Sequence, residues 1–335
     1  MKFLIVDFFN LSIVACWMII IVLILRLFLK RTPKVFNCIL WCMVWLRMII
    51  PVSVTSHLSM IPSIELLDKK YLYEHTFKIN TGIYFFDYGI NETLADTYFE
   101  GISVPMGALS TFFKIFTIVW IAGMVVFFVL SAVNYIKLRK TLSTSVILKE
   151  NVWQSDQIST PFVLGFLKPK IYIPFNVDQD ELDYIISHEK SHIKHFDNLT
   201  KTVAYIILII NWYNPLMWVA YKQFSNDLEL YCDETVVKNM KKEERNKYIK
   251  TLLNNTVVTN DIFVETLFFG ELDIKKRAKN ILKYKKANVF SVLIMIVIFI
   301  AVAFGFFTNP VPEPKQSYLD NFAVLYYFIL SLFNF

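Results

Sequence analysis

At 335 residues the chain has room for two or three domains. With 56% hydrophobic residues, 19% charged ones and a mean hydropathy of +0.47, it is too apolar for a water-soluble globule. The net charge of +6 is no argument for nucleic-acid binding, because the basic residues are sorted along the chain by topology.

Apolar runs of membrane-spanning length are expected at about 4–29, 115–136 and 288–307. A further span, at about 35–54, is interrupted by Arg47 and Pro51. Arg47 either pairs inside the bundle, with Asp7 as the candidate partner, or snorkels toward one interface. The first run lacks a short apolar core followed by a small-residue cleavage site, so it reads as a retained span and not a signal peptide. Cys16, Cys38 and Cys42 lie in apolar runs and Cys232 in a later helix. Cys38 and Cys42 are a turn apart with no histidine nearby, which reads as packing, and no disulfide framework is implied.

Lys and Arg set the orientation. Arg26, Lys30, Arg31 and Lys34 surround the first short loop, and the segment 137–286 holds 23 of the 34 basic residues. The stretch 55–104 has only Lys69, Lys70 and Lys78 against seven acidic residues, and 309–335 has only Lys315. The expected arrangement is a membrane domain over 1–136 with an extracellular loop at 55–104, and a cytoplasmic domain over 137–286. A last span at 287–308 and a short extracellular tail at 309–335 complete it, with the N-terminus outside.

Within the cytoplasmic segment, Val146-Ile147-Leu148, Thr160 to Gly165 and Lys170 to Pro174 read as short strands. A helix is expected after Asp178, where Asp178-Gln179-Asp180-Glu181 has capping-box spacing and Leu182, Ile185, Ile186 and Ile193 supply an apolar face. Val203 to Ile210 is short for a span and reads as a core or interfacial helix, with partial insertion as an alternative. Asn214-Pro215 gives an N-cap and an N1 proline for a helix over about 215–240. Residues 238–286 are rich in Lys and Glu, and the apolar run Phe322 to Phe333 suits an interfacial anchor.

Chemistry concentrates in His188-Glu189-Lys190-Ser191-His192, an H-E-x-x-H motif; three of the chain's five histidines, His188, His192 and His195, fall together here. On a helix the first and last histidine of the motif share a face and can grip one Zn²⁺, with Glu189 beside the metal as general base. A catalytic zinc needs a third ligand and an open position for water. Glu229, in Glu229-Leu230-Tyr231-Cys232-Asp233, is the expected third ligand, and Asp233, one turn on, is expected to receive the N–H of a ligating histidine. Asp227, Asp233, Glu234 and His195 are rivals for the ligand position. The three-histidine continuation H-x-x-G-x-x-H is absent, which favours a second-sphere or surface role for His195. Asp197 is a further candidate to orient a histidine. Each carboxylate also has a plainer reading as a solvated helix side chain. The apolar strand 170–173 is either a core strand or an edge that adds an extended substrate.

These stretches together resemble the BlaR/MecR-type family of membrane zinc metallopeptidases, the sensor-transducers of β-lactam resistance. The resemblance is carried by Thr160 to Gly165, Lys168 to Pro174, His188 to Asn198, Trp212 to Pro215 and Glu229 to Glu234, with Trp45-Leu46-Arg47 and Pro51 in support. It spans about residues 1–308. It implies an α-helical integral membrane protein of about four spans with a cytoplasmic α+β gluzincin-like zinc metallopeptidase domain. It implies one Zn²⁺ held by His188, His192 and Glu229, with Glu189 as base. It further implies an outside signal that triggers cleavage of the chain itself or loss of a BlaI/MecI-like repressor. The family's penicillin-binding sensor domain is not expected here. Ser191-His192-Ile193-Lys194 is an S-x-x-K match, but it lies on the zinc helix. A signal would then enter through 55–104, the tail or an external sensor partner. The competing expectations are a constitutive membrane protease and a non-proteolytic receptor or immunity protein with a structural zinc. No direct nucleic-acid contact is expected.

Overall fold

The computed structural model describes residues 2–29, 32–50, 54–56, 59, 108–165, 167–255, 274–286 and 288–309. The loop 55–104 and the tail 309–335, where an external signal is expected to enter, lie almost wholly outside the described residues.

Two N-terminal helices, α1 (Lys2–Phe28) and α2 (Lys34–Ile49), precede a long helix, α3 (Ala108–Thr141). The last helix is α9 (Val289–Phe307). Among the described residues three helical stretches are long and apolar enough to cross a bilayer: Phe8–Phe28, Lys114–Thr144 and Val289–Phe307. The helix at the remaining expected span, α2, has 16 residues. That is roughly 24 Å at 1.5 Å per residue, against a hydrocarbon core of about 30 Å. Arg47, near its end, is fully buried and donates to Asn309 Oδ1 at 3.1 Å and to the Ile50 carbonyl at 3.3 Å. The side chain of Asp7, its expected partner, lies outside the described residues. Beside Arg47, Val54–Thr55 (β1) pairs in parallel with Thr308–Asn309 (β6), which ties the far ends of α2 and α9 together.

After α3 come four short strands in the order β2-β3-β5-β4. β2 is Val146–Lys149 and β3 is Val152–Ser155; β4 is Phe162–Leu164 and β5 is Lys170–Pro174. β5 runs parallel to β3 and antiparallel to β4, placing Ile171 opposite Val152 and Tyr172 opposite Phe162. Gly165 turns the chain after β4 at φ 103, where a Cβ would also meet the Lys168 carbonyl at 3.0 Å. Two expectations change here. Val152–Ser155 is a strand not expected from sequence, because its four residues carry little alternation. And β5 has a partner on both edges, so its backbone groups are already engaged; it is a core strand and not a docking edge.

The next helices are α4 (Gln179–Lys194), α5 (Asp197–Ile210), α6 (Pro215–Val237), α7 (Lys242–Asn254) and α8 (Ile274–Lys283). α4 starts after Asp178, and its apolar face of Leu182, Ile185, Ile186 and Ile193 packs on Val152, Ile171 and Ile173 of the sheet. The expected capping box does not form: the Asp178 side chain makes no cap bond. Glu181 instead accepts from Asn254 and Asn255 at 2.7 and 2.6 Å, and a carboxylate satisfied by two amides has no reason to reach back.

α5 is a core helix. Its Ala204, Ile207 and Leu208 join one apolar cluster with Met18 and Ile19 of α1, Trp41 and Val44 of α2, Met217 and Phe224 of α6, and Val302 and Phe306 of α9. The core therefore runs without interruption from the membrane-length helices into the helices that carry the chemistry, across the boundary that charge alone places at 136/137.

Candidate metal centre

His188 and His192 sit one turn apart on α4, and both are buried. Their Nε2 atoms are 3.2 Å apart. α6 delivers the third group. Asn214 caps this helix by accepting from Leu216 N at 3.0 Å, Pro215 occupies its first turn, and the helix then crosses α4. Glu229 Oε2 lies 3.3 Å from His188 Nε2, and Oε1 lies 3.6 Å from His192 Nε2. Glu189 is buried next to His188 on the same helix.

The other ring nitrogens are also engaged. His192 Nδ1 is 2.7 Å from Asp197 Oδ2, so the carboxylate accepts its proton. The connection that makes this possible is two residues, His195 and Phe196. Phe196 adopts the left-handed conformation at φ 58 with its ring exposed, so α5 begins at once and Asp197 turns back toward α4. His188 Nδ1 is 2.8 Å from the hydroxyl of Tyr248, on α7, which donates to Asp233 Oδ1 at 2.7 Å. Tyr248 therefore accepts from His188 Nδ1. Both imidazoles thus carry Nδ1–H and turn their Nε2 toward one shared point, opposite a carboxylate.

Cations surround this group. Lys201 of α5 donates to Glu229 Oε1 at 3.1 Å. Arg277 of α8 grips Asp233 through Nε at 2.8 Å and Nη2 at 2.7 Å, and its Nη2 stands 3.3 Å from His188 Nε2. Burial raises the Glu229 pKa, but Lys201 and His192 outweigh it and hold the carboxyl well below the usual range. Burial acts likewise on Asp233, and Arg277 brings it down to about 2. For the histidines burial pushes downward. Asp233 and Glu229 reverse this for His188, and Cys232, Glu229 and Asp197 do so for His192, which ends well above an ordinary imidazole.

The residues expected around the site separate as follows. His188, His192 and Glu229 converge, and Asp197 and Asp233 lie behind the two histidines. His195 does not join them: its ring stacks on Tyr231 with centroids 4.1 Å apart, and burial lowers its pKa. Four participants were not anticipated from sequence: Lys201, Tyr248, Arg277 and Cys232. Cys232 is fully buried, with Sγ 3.2 Å from Asp197 Oδ2 and 3.3 Å from His192 Nδ1. His192, Asp197 and Cys232 form a second cluster of ligand-type atoms. Its shared His192 nitrogen is already committed to Asp197, so this cluster is a hydrogen-bonded support. Lys201 follows Asp197 by one turn, which was the only local signal; Arg277 reads in the sequence as topological charge.

The donor set suits a tetrahedral zinc. Zn–N bonds of about 2.0–2.1 Å place two ligating nitrogens about 3.3–3.4 Å apart. The observed separations of 3.2, 3.3 and 3.6 Å match that spacing. Two buried imidazoles and a carboxylate, in a chain that also carries helices of membrane length, are what a membrane metallopeptidase needs.

Comparison with known proteins gives that class a family. The chain belongs to the BlaR1 peptidase M56 family, whose model matches residues 6–281. It is 30% identical to the methicillin resistance mecR1 protein of Staphylococcus aureus over 138 residues, 39% of this chain and 24% of that one. It is 27% identical to the regulatory protein BlaR1 of Bacillus licheniformis over 142 residues, 40% and 24% of the two chains. With the regulatory protein BlaR1 of Staphylococcus aureus the identity is 27% over 217 residues, 56% of this chain and 36% of the relative. The matched stretches thus span between about a quarter and a third of these relatives' own length.

Proposed function

We propose that the chain is a gluzincin-type zinc endopeptidase working on the cytoplasmic side of the membrane, with His188, His192 and Glu229 as metal ligands and Glu189 as general base. The observation that carries the reading is the convergence of two Nε2 atoms and one carboxylate at zinc-ligand spacing. Bound there, zinc would supply a Lewis acid for the scissile carbonyl and a water acidified toward neutrality. Glu189 accepts the proton of the attacking water and returns it to the leaving amine. Asp197 holds His192, and Tyr248 with Asp233 holds His188, in the tautomer that keeps each Nε2 lone pair on the site. Lys201 and Arg277 offset the buried negative charge of Glu229 and Asp233.

The family and the names of its relatives support a signal-transducing role, in which the protease cuts itself or a BlaI/MecI-like repressor after a stimulus from outside. The basic segment 137–286 supports placing the site in the cytoplasm. Glu189→Gln is the direct test. In purified full-length protein, metal analysis should find zinc retained, while cleavage followed by mass spectrometry should fall by at least about 100-fold. Unchanged function in that variant would favour a receptor with a structural zinc.

A further inference from the structure

α6 is held from the side opposite the metal centre. Asp227 lies two residues before Glu229, so the two carboxylates leave the helix about 160° apart. Asp227 is 1% exposed and buried against α1 and α2. Arg26, in the last turn of α1, places Nε 2.7 Å from its Oδ2 and donates from Nη2 to Oδ1 at 2.9 Å. Trp41 of α2 donates its indole N–H to Oδ2 at 2.9 Å, and Asn37 donates to Oδ1 at 3.4 Å. Arg26 also reaches Gln223, one turn earlier on α6, at 3.0 Å. Two turns beyond Asp227, Glu234 accepts the backbone N–H of Lys34 at the start of α2, at 2.8 Å.

We infer that Asp227 is a positioning residue, through which the α1–α2 pair sets the angle of α6 and hence the reach of Glu229 toward His188 and His192. The inference rests on the zinc reading above. Its physical basis is leverage. A carboxylate about 6 Å from a helix axis moves about 2 Å when the helix turns by about 20°. That displacement is as long as a ligand bond, so the roll of α6 decides whether Glu229 ligates. A buried carboxylate shared by a guanidinium, an indole and an amide has few alternative arrangements, which makes it a stiff coupling between α1, α2 and the metal helix. A movement of α1 against α2 would reach the centre by this route, through contacts to Asp227 that join residues 186 to 201 positions apart in sequence.

The test uses full-length protein in lipid nanodiscs, stripped of metal and titrated with Zn²⁺ against a chromophoric chelator, and with Co²⁺ followed by its ligand-field absorption. Arg26→Gln should weaken zinc binding by roughly tenfold or more, as loss of a ligand's support does, and should alter the cobalt spectrum. Trp41→Phe removes one hydrogen bond, keeps both charges, and should move both readouts in the same direction by less. Pairing Arg26→Gln with Asp227→Asn leaves no lone buried charge and should recover part of the affinity. Ser131→Ala, which removes a contact from α3 to Tyr205 of α5 at 2.9 Å, should change neither readout. Wild-type affinity and an unchanged cobalt spectrum in both Arg26→Gln and Trp41→Phe would overturn the inference, even if unfolding became easier. Should Arg26→Gln fail to fold, Trp41→Phe decides alone. An unsubstituted chain that bound neither metal would overturn the zinc reading itself.

Discussion

His188 depends on a residue 60 positions away. Tyr248 donates its hydroxyl proton to Asp233 and accepts from His188 Nδ1, so one phenol fixes the tautomer of one proposed ligand. Tyr248→Phe removes this acceptor and leaves Asp233 to hold the ring from 3.3 Å. Zinc affinity should fall by roughly 10-fold, read by chelator competition, with the fold intact. Proton competition gives a second prediction. Both proposed histidine ligands hold protons above the ordinary imidazole value in the folded chain, so zinc uptake has to release them. Zinc affinity should therefore weaken on acidification from above about pH 6.5. The sign is opposite for the metal-free chain. Its raised histidines contribute stability that is fully present below about pH 6.5 and is lost as pH rises through their folded values. Kd measured across this range, beside thermal unfolding of stripped protein, checks both slopes. At this scale, the sequence disclosed what local spacing can disclose. His188 and His192 are one turn apart, Asp197 follows five residues later, and Glu229 belongs to a carboxylate pair one turn apart. Tyr248 and Arg277 enter from separate helices with no motif of their own, and only packing brings them to the site.

Among the three membrane-length stretches, the one in α3 is the least embedded. It exposes Ile118, Phe128 and Ile136, and one of its contacts with the rest of the chain is a polar and aromatic joint at the turn between α5 and α6. Trp120 donates to the Ile210 carbonyl at 2.7 Å, and Trp212 donates back to the Trp120 carbonyl at 3.1 Å. Gly123 lets the Trp212 ring lie directly on the α3 backbone: a Cβ there would fall 2.3 Å from Trp212 Cε2. Gly123→Ala has to push the indole and α3 apart, at a cost of about 1–3 kcal/mol by the usual penalty for overpacking. Unfolding in detergent should register that loss, while zinc affinity should hold, because Gly123 lies outside the ligand set and its supports. The start of α6 was legible from Asn214-Pro215, since a cap and an N1 proline act within a few residues. The Asp178 capping box fails because its glutamate found better partners on α7, a choice set by tertiary contact.

For the molecule as a whole, the charge pattern and the packing describe different boundaries. Lys and Arg mark which side of the membrane a segment occupies, whereas the shared core shows which helices pack against one another. The two views meet at the hairpin of α5 and α6. Its turn is held at Asn214, whose amide donates to Ser12 Oγ at 2.8 Å, while the middle of α6 meets Arg26 through Asp227. Ser12 and Arg26 are fourteen residues apart on α1, which is about 21 Å along the helix. The hairpin thus runs beside α1 for most of a hydrocarbon core of about 30 Å, although neither helix is a membrane-length apolar stretch. Ile206 and Val219 are exposed on its outer surface, at 52% and 41%. If the hairpin is inserted with α1, these side chains face lipid. Spin labels at 206 and 219, introduced after replacing the exposed native Cys42 with serine, should then be accessible to oxygen and shielded from a water-soluble nickel complex in nanodiscs. A label at the exposed Lys190, on α4 between the two histidines, should give the reverse. Nickel accessibility at 206 and 219 equal to that at 190 would place the hairpin in water, and would leave α1 as a span packed against a soluble domain.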